Sequence, residues 1–244
     1  MGTPPRSWSA TSFRRRTPML LRVIDTETTG IPDEDDGHAL VEVGCCDIVD
    51  GVVGTPRSML VNPRRPISVG AMATHHITDD DVENAPPIDA GLKMLMEGNP
   101  DYFFAHKAEF DEQFFGAGGA TIICTWKAAL RLYPDSERHT NQYLRYELGL
   151  DVDRVLADPP HRAGADAYVT AHLLHRMFDD GASIEDMLRW SKGHPLFPKI
   201  GFGKHFGKRW EDVDIGYLNW IIGTEDMDPA VKANARHHLK LRGR

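Results

Sequence analysis

The sequence predicts an α/β fold: a mixed β-sheet flanked by helices, with a small C-terminal module. Three observations carry this. Strand-like apolar runs crowd the first third of the chain, further strands then alternate with helical patterns, and past Gly193 the texture turns to glycine, aromatic and basic residues. Strands in succession, followed by strand–helix alternation, give a mixed sheet covered by helices. The 244 residues suffice for one full domain and a small appendage.

Residues 1–18 are rich in Ser, Thr, Pro and Arg, without periodicity, and are expected to be a disordered basic arm. They lack the apolar stretch of a secretory signal. Their composition also suits a transit peptide, and Met19, directly before the first strand, leaves a later start as a third reading. "MLLRVID" (19–25) is the first strand, 39–49 the second and 55–63 the third, with the turn signal "VDGVVG" between the latter two. Residues 73–87, "ATHHITDDDVENAPP", are expected as a loop. Ile88, Leu92, Leu95 and Met96 recur at helical spacing and Gly98 closes the pattern. Short buried strands follow at 101–106 and 121–126, with helices at 125–133, 139–149 and about 162–178. The expected organisation is a main domain over 19–182, a linker over 183–194 and a module over 195–244.

Composition is that of an ordinary soluble globular protein, 41% hydrophobic and 26% charged. No apolar run is long enough to span a bilayer. Cys45, Cys46 and Cys124 form neither a C-x-x-C pair nor a zinc spacing, so they are expected as small core residues in a reducing, cytoplasmic setting. The termini, 1–18 and 231–244, hold nine arginines and lysines and no acid, which turns the net −8 into −17 for the body between them. That body is a poor surface for a polyanion unless cations offset it.

The chemistry begins in "LLRVIDTETTG". Residues i and i+2 of a strand share a face, so Asp25 and Glu27 stand side by side and repel unless a positive charge joins them. Alone, such a pair is equally a solvated strand end. Asp111 follows a buried strand at the opening of a helix, where the dipole favours any acid. His161 and Asp166 are five apart and would diverge within one helix. Pro159 and Pro160 favour an extended approach, which leaves His161 in the loop before a helix carrying Asp166. Each residue alone has a structural explanation. Together, Asp25, Glu27, Asp111 and Asp166 are four oxygen ligands without a cysteine, the set that Mg²⁺ or Mn²⁺ selects. Two such ions suit phosphodiester hydrolysis, with His161 as general base. The other histidines, His75, His106 and His172 among them, carry no role in this reading.

The order D-x-E, then A-H-x-A-x-F-D, then H-x-x-x-x-D resembles the DEDD exonuclease superfamily, histidine branch. "VIDTETTG", "RPISVGAMATHHIT", "AHKAEFD", "ICTWKAALRLYP" and "FGKHFGKRWEDVDIGYLNWI" look like segments of its exodeoxyribonuclease X group, in the same order, over roughly 19–240. The resemblance implies an RNase H-like mixed sheet and stepwise 3′→5′ hydrolysis of DNA, with single-stranded 3′ ends preferred, releasing nucleoside 5′-monophosphates. It implies that Asp25, Glu27 and Asp166 hold one metal, that Asp25 bridges to a second which Asp111 reaches through water, and that His161 deprotonates the attacking water. Thr26 and Thr28 are expected near the substrate's 3′ terminus. Repair or end trimming is the implied role.

One position departs. Lys107 stands where the family commonly has Asn, and is either a phosphate contact or solvent-facing. In the C-terminal module the aromatic residues are expected as core, and Lys204, Lys208 and Arg209 as contacts to single strands; a combined basic and aromatic platform is the other reading. The rivals are an exoribonuclease or short-oligonucleotide hydrolase on the same scaffold, and a non-catalytic nucleic-acid-binding domain.

Overall fold

Strand β1 (Leu20–Thr28) is central, buried on both faces over Leu21–Ile24, where the one charged residue, Arg22, pairs with Asp47 of the next strand. Leu21 and Val23 look into one core and Ile24 into another. The computed structural model describes residues 18–30, 37–114 and 121–243; the arm expected over 1–18 lies outside them but for Pro18. Antiparallel to β1 runs β2 (Leu40–Val49), with Cys46 in the first core and the neighbouring Cys45 in the second, as alternation requires. β2 turns at Asp50 and Gly51, both left-handed, into β3 (Val52–Val53), and pairs further along with β4 (Arg57–Leu60). On the other side of β1, β5 (Tyr102–Ala105) and β6 (Ile122–Cys124) add in parallel. The order is β3-β2-β1-β5-β6, with β4 also on β2: a mixed six-stranded sheet.

Helix α3 (Ile88–Met96) closes one face with Met94 and Leu95. The other face is closed by α5 (Thr125–Leu132), α6 (Asn141–Glu147) and α8 (Ala163–Asp179), which buries Leu173, Leu174 and Met177 completely. Short helices α4 (Glu109–Glu112) and α7 (Arg154–Ala157) lie in the connections.

Two expectations change. The stretch 73–87 is not a plain loop: α1 (Val69–His75) ends inside it and α2 (Asp79–Val82) follows. Local hydrogen bonds rather than apolar periodicity make these helices. The Ser68 hydroxyl accepts from Ala71 N–H, and Thr78 with Asp81 forms a capping box. Residues 183–194, expected as a linker, contain α9 (Ile184–Ser191), capped by Ser183, with Met187 wholly inside the first core.

Beyond it, α10 (Ile215–Gly223) and α11 (Pro229–Leu241) share a separate apolar cluster with Ile200, Trp210 and Val213. Trp210 and Tyr217 are core as expected; Phe206 and Trp220 are not, being 74% and 51% exposed. Among the described residues no helix is long and apolar enough to cross a membrane.

Candidate active site

Asp25 and Glu27 leave β1 on the face that Val23 shares with α8, where the strand's pairing with β2 is broken by a bulge between Glu27 and Thr28. What brings a third carboxylate to them is the docking of α8. A side chain on Gly44, opposite Asp25 in the sheet, would lie 2.2 Å from the Ala163 carbonyl carbon, so only a glycine lets the helix come this close. Asp166, in the first turn of α8, thus reaches β1: ligand oxygens of Asp25, Glu27 and Asp166 all lie within 4.8 Å of one another. Asp166 is oriented from two sides. Gln142 Nε2 donates to Oδ1 at 2.6 Å and the His161 backbone N–H to Oδ2 at 2.8 Å.

Asp111 sits in α4, 3% exposed, and accepts a 2.7 Å hydrogen bond from Thr26 Oγ1. It stands outside the close trio, yet its charge acts on Asp25. The acids resist ionising together. Burial first, then Asp166, Asp111, Glu27 and Glu42, holds the Asp25 carboxyl well above the usual range. Burial and the neighbouring Asp166 and Glu42 push Glu27 to about 8, against the pull of Arg162. Burial takes Asp111 to about 7 despite its bond from Thr26. Oxygen donors gathered in a half-dry recess, each favouring its neutral form, fit a hard divalent cation, whose charge turns mutual repulsion into shared attraction.

His161 lies in the loop before α8, exposed, with its backbone left-handed at φ 60°. Its ring has no hydrogen-bond partner among the described residues. The next residue, Arg162, grips the buried Glu42 through two 2.9 Å bonds, and Glu42 also accepts from Ala163 N–H at 3.0 Å. Glu42 faces Glu27 across the β1–β2 pairing. The sequence reading missed Glu42, Arg162 and Gln142. For Glu42 a signal existed: in "LVEVGCCDI" it alternates onto the face of Cys46 and Ile48, both core.

The remaining candidates disperse. The Thr26 hydroxyl donates to Asp111, and that of Thr28 to Gly30 O at 2.9 Å. Lys107 is exposed, left-handed at φ 69°, with Nζ 6.0 Å from the Trp126 ring centre. Arg209 pairs with Asp135 of the main domain and Glu211 of its own. Lys204 stands over Tyr217, and Lys208 is exposed.

Beside Glu27 opens a cavity of about 410 Å³, lined by Thr28 and Gly30 and by Ser68, Ala71, Thr74 and His75 from the α1 side. His75, 2% exposed, fixes that wall. Its Nδ1 accepts from Ile77 N–H at 3.0 Å, so Nε2–H donates to Thr28 O at 3.2 Å, and burial holds the ring neutral.

The family model described as exonuclease, of RNase T type, matches residues 23–174. Exodeoxyribonuclease 10 of Escherichia coli K12 is 34% identical over 226 residues, 91% of this chain and 99% of that one. A PolC-type DNA polymerase III of Listeria welshimeri is 27% identical over 68% of this chain and 12% of its own length. Among solved structures, exonuclease X in complex with 5′ overhanging duplex DNA matches with a TM-score of 0.61 at 35% identity, over 70% of this chain and 99% of that one. The nuclease domain of 3′hExo, a DEDDh family member bound to rAMP, matches with a TM-score of 0.56 at 19% identity, over 67% and 94% of the two chains, a likeness of fold.

Proposed function

The chain belongs to the exonuclease family, and from that premise we propose that it is a 3′→5′ exodeoxyribonuclease acting at single-stranded 3′ ends of DNA. The observation that carries this is the trio of carboxylates, Asp25, Glu27 and Asp166, with ligand atoms within 4.8 Å, next to an uncommitted histidine. The DNA preference follows the relatives, one named an exodeoxyribonuclease and one solved with overhanging duplex DNA.

Asp25, Glu27 and Asp166, with Asp111 whose charge acts on Asp25, are the residues to hold two divalent ions, Mg²⁺ or Mn²⁺. Such ions supply positive charge for the attacking and leaving oxygens of a phosphodiester. The chain's own groups do the rest. The cavity beside Glu27 falls within the size range of small-ligand pockets; it takes the 3′-terminal nucleotide and leaves its phosphate at the carboxylates. A ring nitrogen of His161 receives the proton of the attacking water. The water oxygen bonds to phosphorus, the bond to the 3′ oxygen of the preceding nucleotide breaks, and solvent protonates that oxygen. A nucleoside 5′-monophosphate and a strand one nucleotide shorter result. The Glu42–Arg162 pair and Gln142 fix the loop and the Asp166 carboxylate from behind.

We assign the nuclease activity to residues 19–191 and treat 195–244 as an accessory module. Three free, buried cysteines suit a reducing cytoplasm.

The test is a gel assay on 5′-labelled single-stranded DNA with Mg²⁺, with Mn²⁺ and with EDTA, beside the Asp25→Ala variant. A ladder shortening from the 3′ end, abolished by EDTA and by the substitution, is expected. An RNA strand cut equally well would move the assignment to the exoribonuclease reading. No cleavage of either strand in either metal would overturn it.

A further inference from the structure

Charge divides this chain unevenly. Residues 19–194 carry 30 acids against 15 lysines and arginines, whereas residues 195–244 carry 9 lysines and arginines against 6 acids. A DNA strand held while its end is cut therefore meets its favourable field on the module, not on the catalytic body.

The module also displays aromatic surface that its core does not use. Tyr217 is the fixed base of a small aromatic group. It is 8% exposed, and a side chain at Gly203, left-handed at φ 63°, would meet its hydroxyl at 2.5 Å. Trp220 stacks on Tyr217 with ring centres 4.9 Å apart, yet stays 51% exposed. Phe202 tilts against the same ring at 6.4 Å. Lys204 Nζ stands 5.0 Å from it. Phe206, at the end of the 3-10 turn that carries Lys204, is 74% exposed. Trp220 held on Tyr217 and open to solvent, with Lys204 over the same ring and the exposed Phe206 two residues further on, offers what an unpaired strand needs: π-faces for bases and a cation for phosphate. Lys204 also acts on the Asp214 carboxylate, which accepts from Tyr217 N–H at 2.8 Å, and an apolar partner would take both charges out of water.

We infer that the face built on Tyr217 is a stacking platform for single-stranded DNA, which holds the 5′ part of the strand while its 3′ end occupies the catalytic site. The occupant's identity rests on the exonuclease reading. Trp220 and Phe206 stack bases, and Lys204 neutralises a phosphate. Arg209 contributes indirectly, tying the module to Asp135 of the catalytic body.

The experiment uses the full chain. Binding of thymidine oligonucleotides of about twenty and about four nucleotides is measured by anisotropy in EDTA, and turnover of the short one in Mg²⁺. The Phe206→Ser, Trp220→Ala double variant is expected to bind the long strand about tenfold or more weakly, at the level of one lost stacking contact or more. It should turn over the short strand like wild type. Phe206→Ser alone, at a position 74% exposed, guards against loss of folding and should show part of the effect. Lys204→Gln should lower the slope of log affinity against log salt by about 0.7, the value for one phosphate of a single strand. The platform is overturned if wild type binds the long strand no better than the short, or if the variants bind as wild type does. It is likewise overturned if Phe206→Ser abolishes a wild-type self-association and leaves DNA binding intact. Failure to cut the short strand at all would instead count against the exonuclease reading, which keeps the two outcomes apart.

Discussion

Glu42 and Arg162 are joined by two 2.9 Å hydrogen bonds, with Glu42 1% exposed beside Glu27 in the sheet. The pair locks the His161 loop to β2, and Arg162 carries charge that offsets the acids. Glu42→Gln leaves a guanidinium without its counter-charge. We expect about 2 kcal/mol lost in urea unfolding, below the full cost of breaking a buried pair because Arg162 is 37% exposed. A roughly tenfold or greater fall in kcat with KM nearly constant should accompany it, since the loop acts on His161 rather than on strand binding.

Gly44→Ala probes the docking of α8. The added carbon would meet backbone, which cannot rotate away, so the start of the helix must retreat by about an ångström. A displacement of that size costs about 10²-fold in rate, and overpacking about 1–3 kcal/mol in stability. Gly164→Ala is the control. There the new carbon meets Ser58 Cβ at 3.1 Å rather than backbone at 2.2 Å, a crowding that a shift of a few tenths of an ångström relieves, so kcat should fall only a few-fold. Equal kinetics for the two variants would refute this account of how Asp166 is placed.

The acids make stability depend on pH in a direction that can be worked out. In the metal-free protein Glu27 titrates near 8 and Asp111 near 7, both far above unfolded carboxylates, and Asp25 is raised as well. Between about pH 4 and 8 the folded chain therefore binds more protons than the unfolded one, so these groups destabilise it increasingly as pH rises. The Tm in EDTA should drop by several degrees from pH 5 to pH 8. Mg²⁺ competes with protons for the same oxygens. The rise in Tm it produces should thus be largest at pH 8 and nearly absent at pH 5. A metal effect independent of pH would argue that the carboxylates are not its ligands.

Lys107 occupies a left-handed position at φ 69°. Such a backbone costs an ordinary residue about 1 kcal/mol, and Asn less. Lys107→Asn should raise stability by about 0.5 kcal/mol, read as a higher urea midpoint at constant slope. Unchanged turnover and strand affinity would end the idea of a phosphate contact, whereas weaker strand binding would support it.

Much of the site was legible from spacing alone. Two acids at i and i+2 of a strand must share a face, and Pro159 and Pro160 favoured a loop for His161 ahead of the helix that carries Asp166. The supporting residues were harder. Gln142 holds Asp166 from a helix whose own pattern explains it as surface, and Arg145 steadies that amide at 3.3 Å while anchored to Asp158. Such long-range bonds leave no periodic trace. Helix α1 escaped because one serine cap, not an apolar stripe, starts it. Gly44 could have been noticed: a glycine inside a strand marks a close backbone approach, though not which element approaches.

The tight seat of α8 against Gly44 bears on when this chain becomes dangerous to DNA. Asp25 and Glu27 belong to the first strand, but their partner Asp166 arrives only when a helix from much later in the chain has settled to within van der Waals range of β2. A chain still being synthesised, or one whose α8 has come loose, lacks the complete trio and is expected to be inert. Nuclease activity is thereby a readout of finished folding, and a damaged copy falls silent before it unravels.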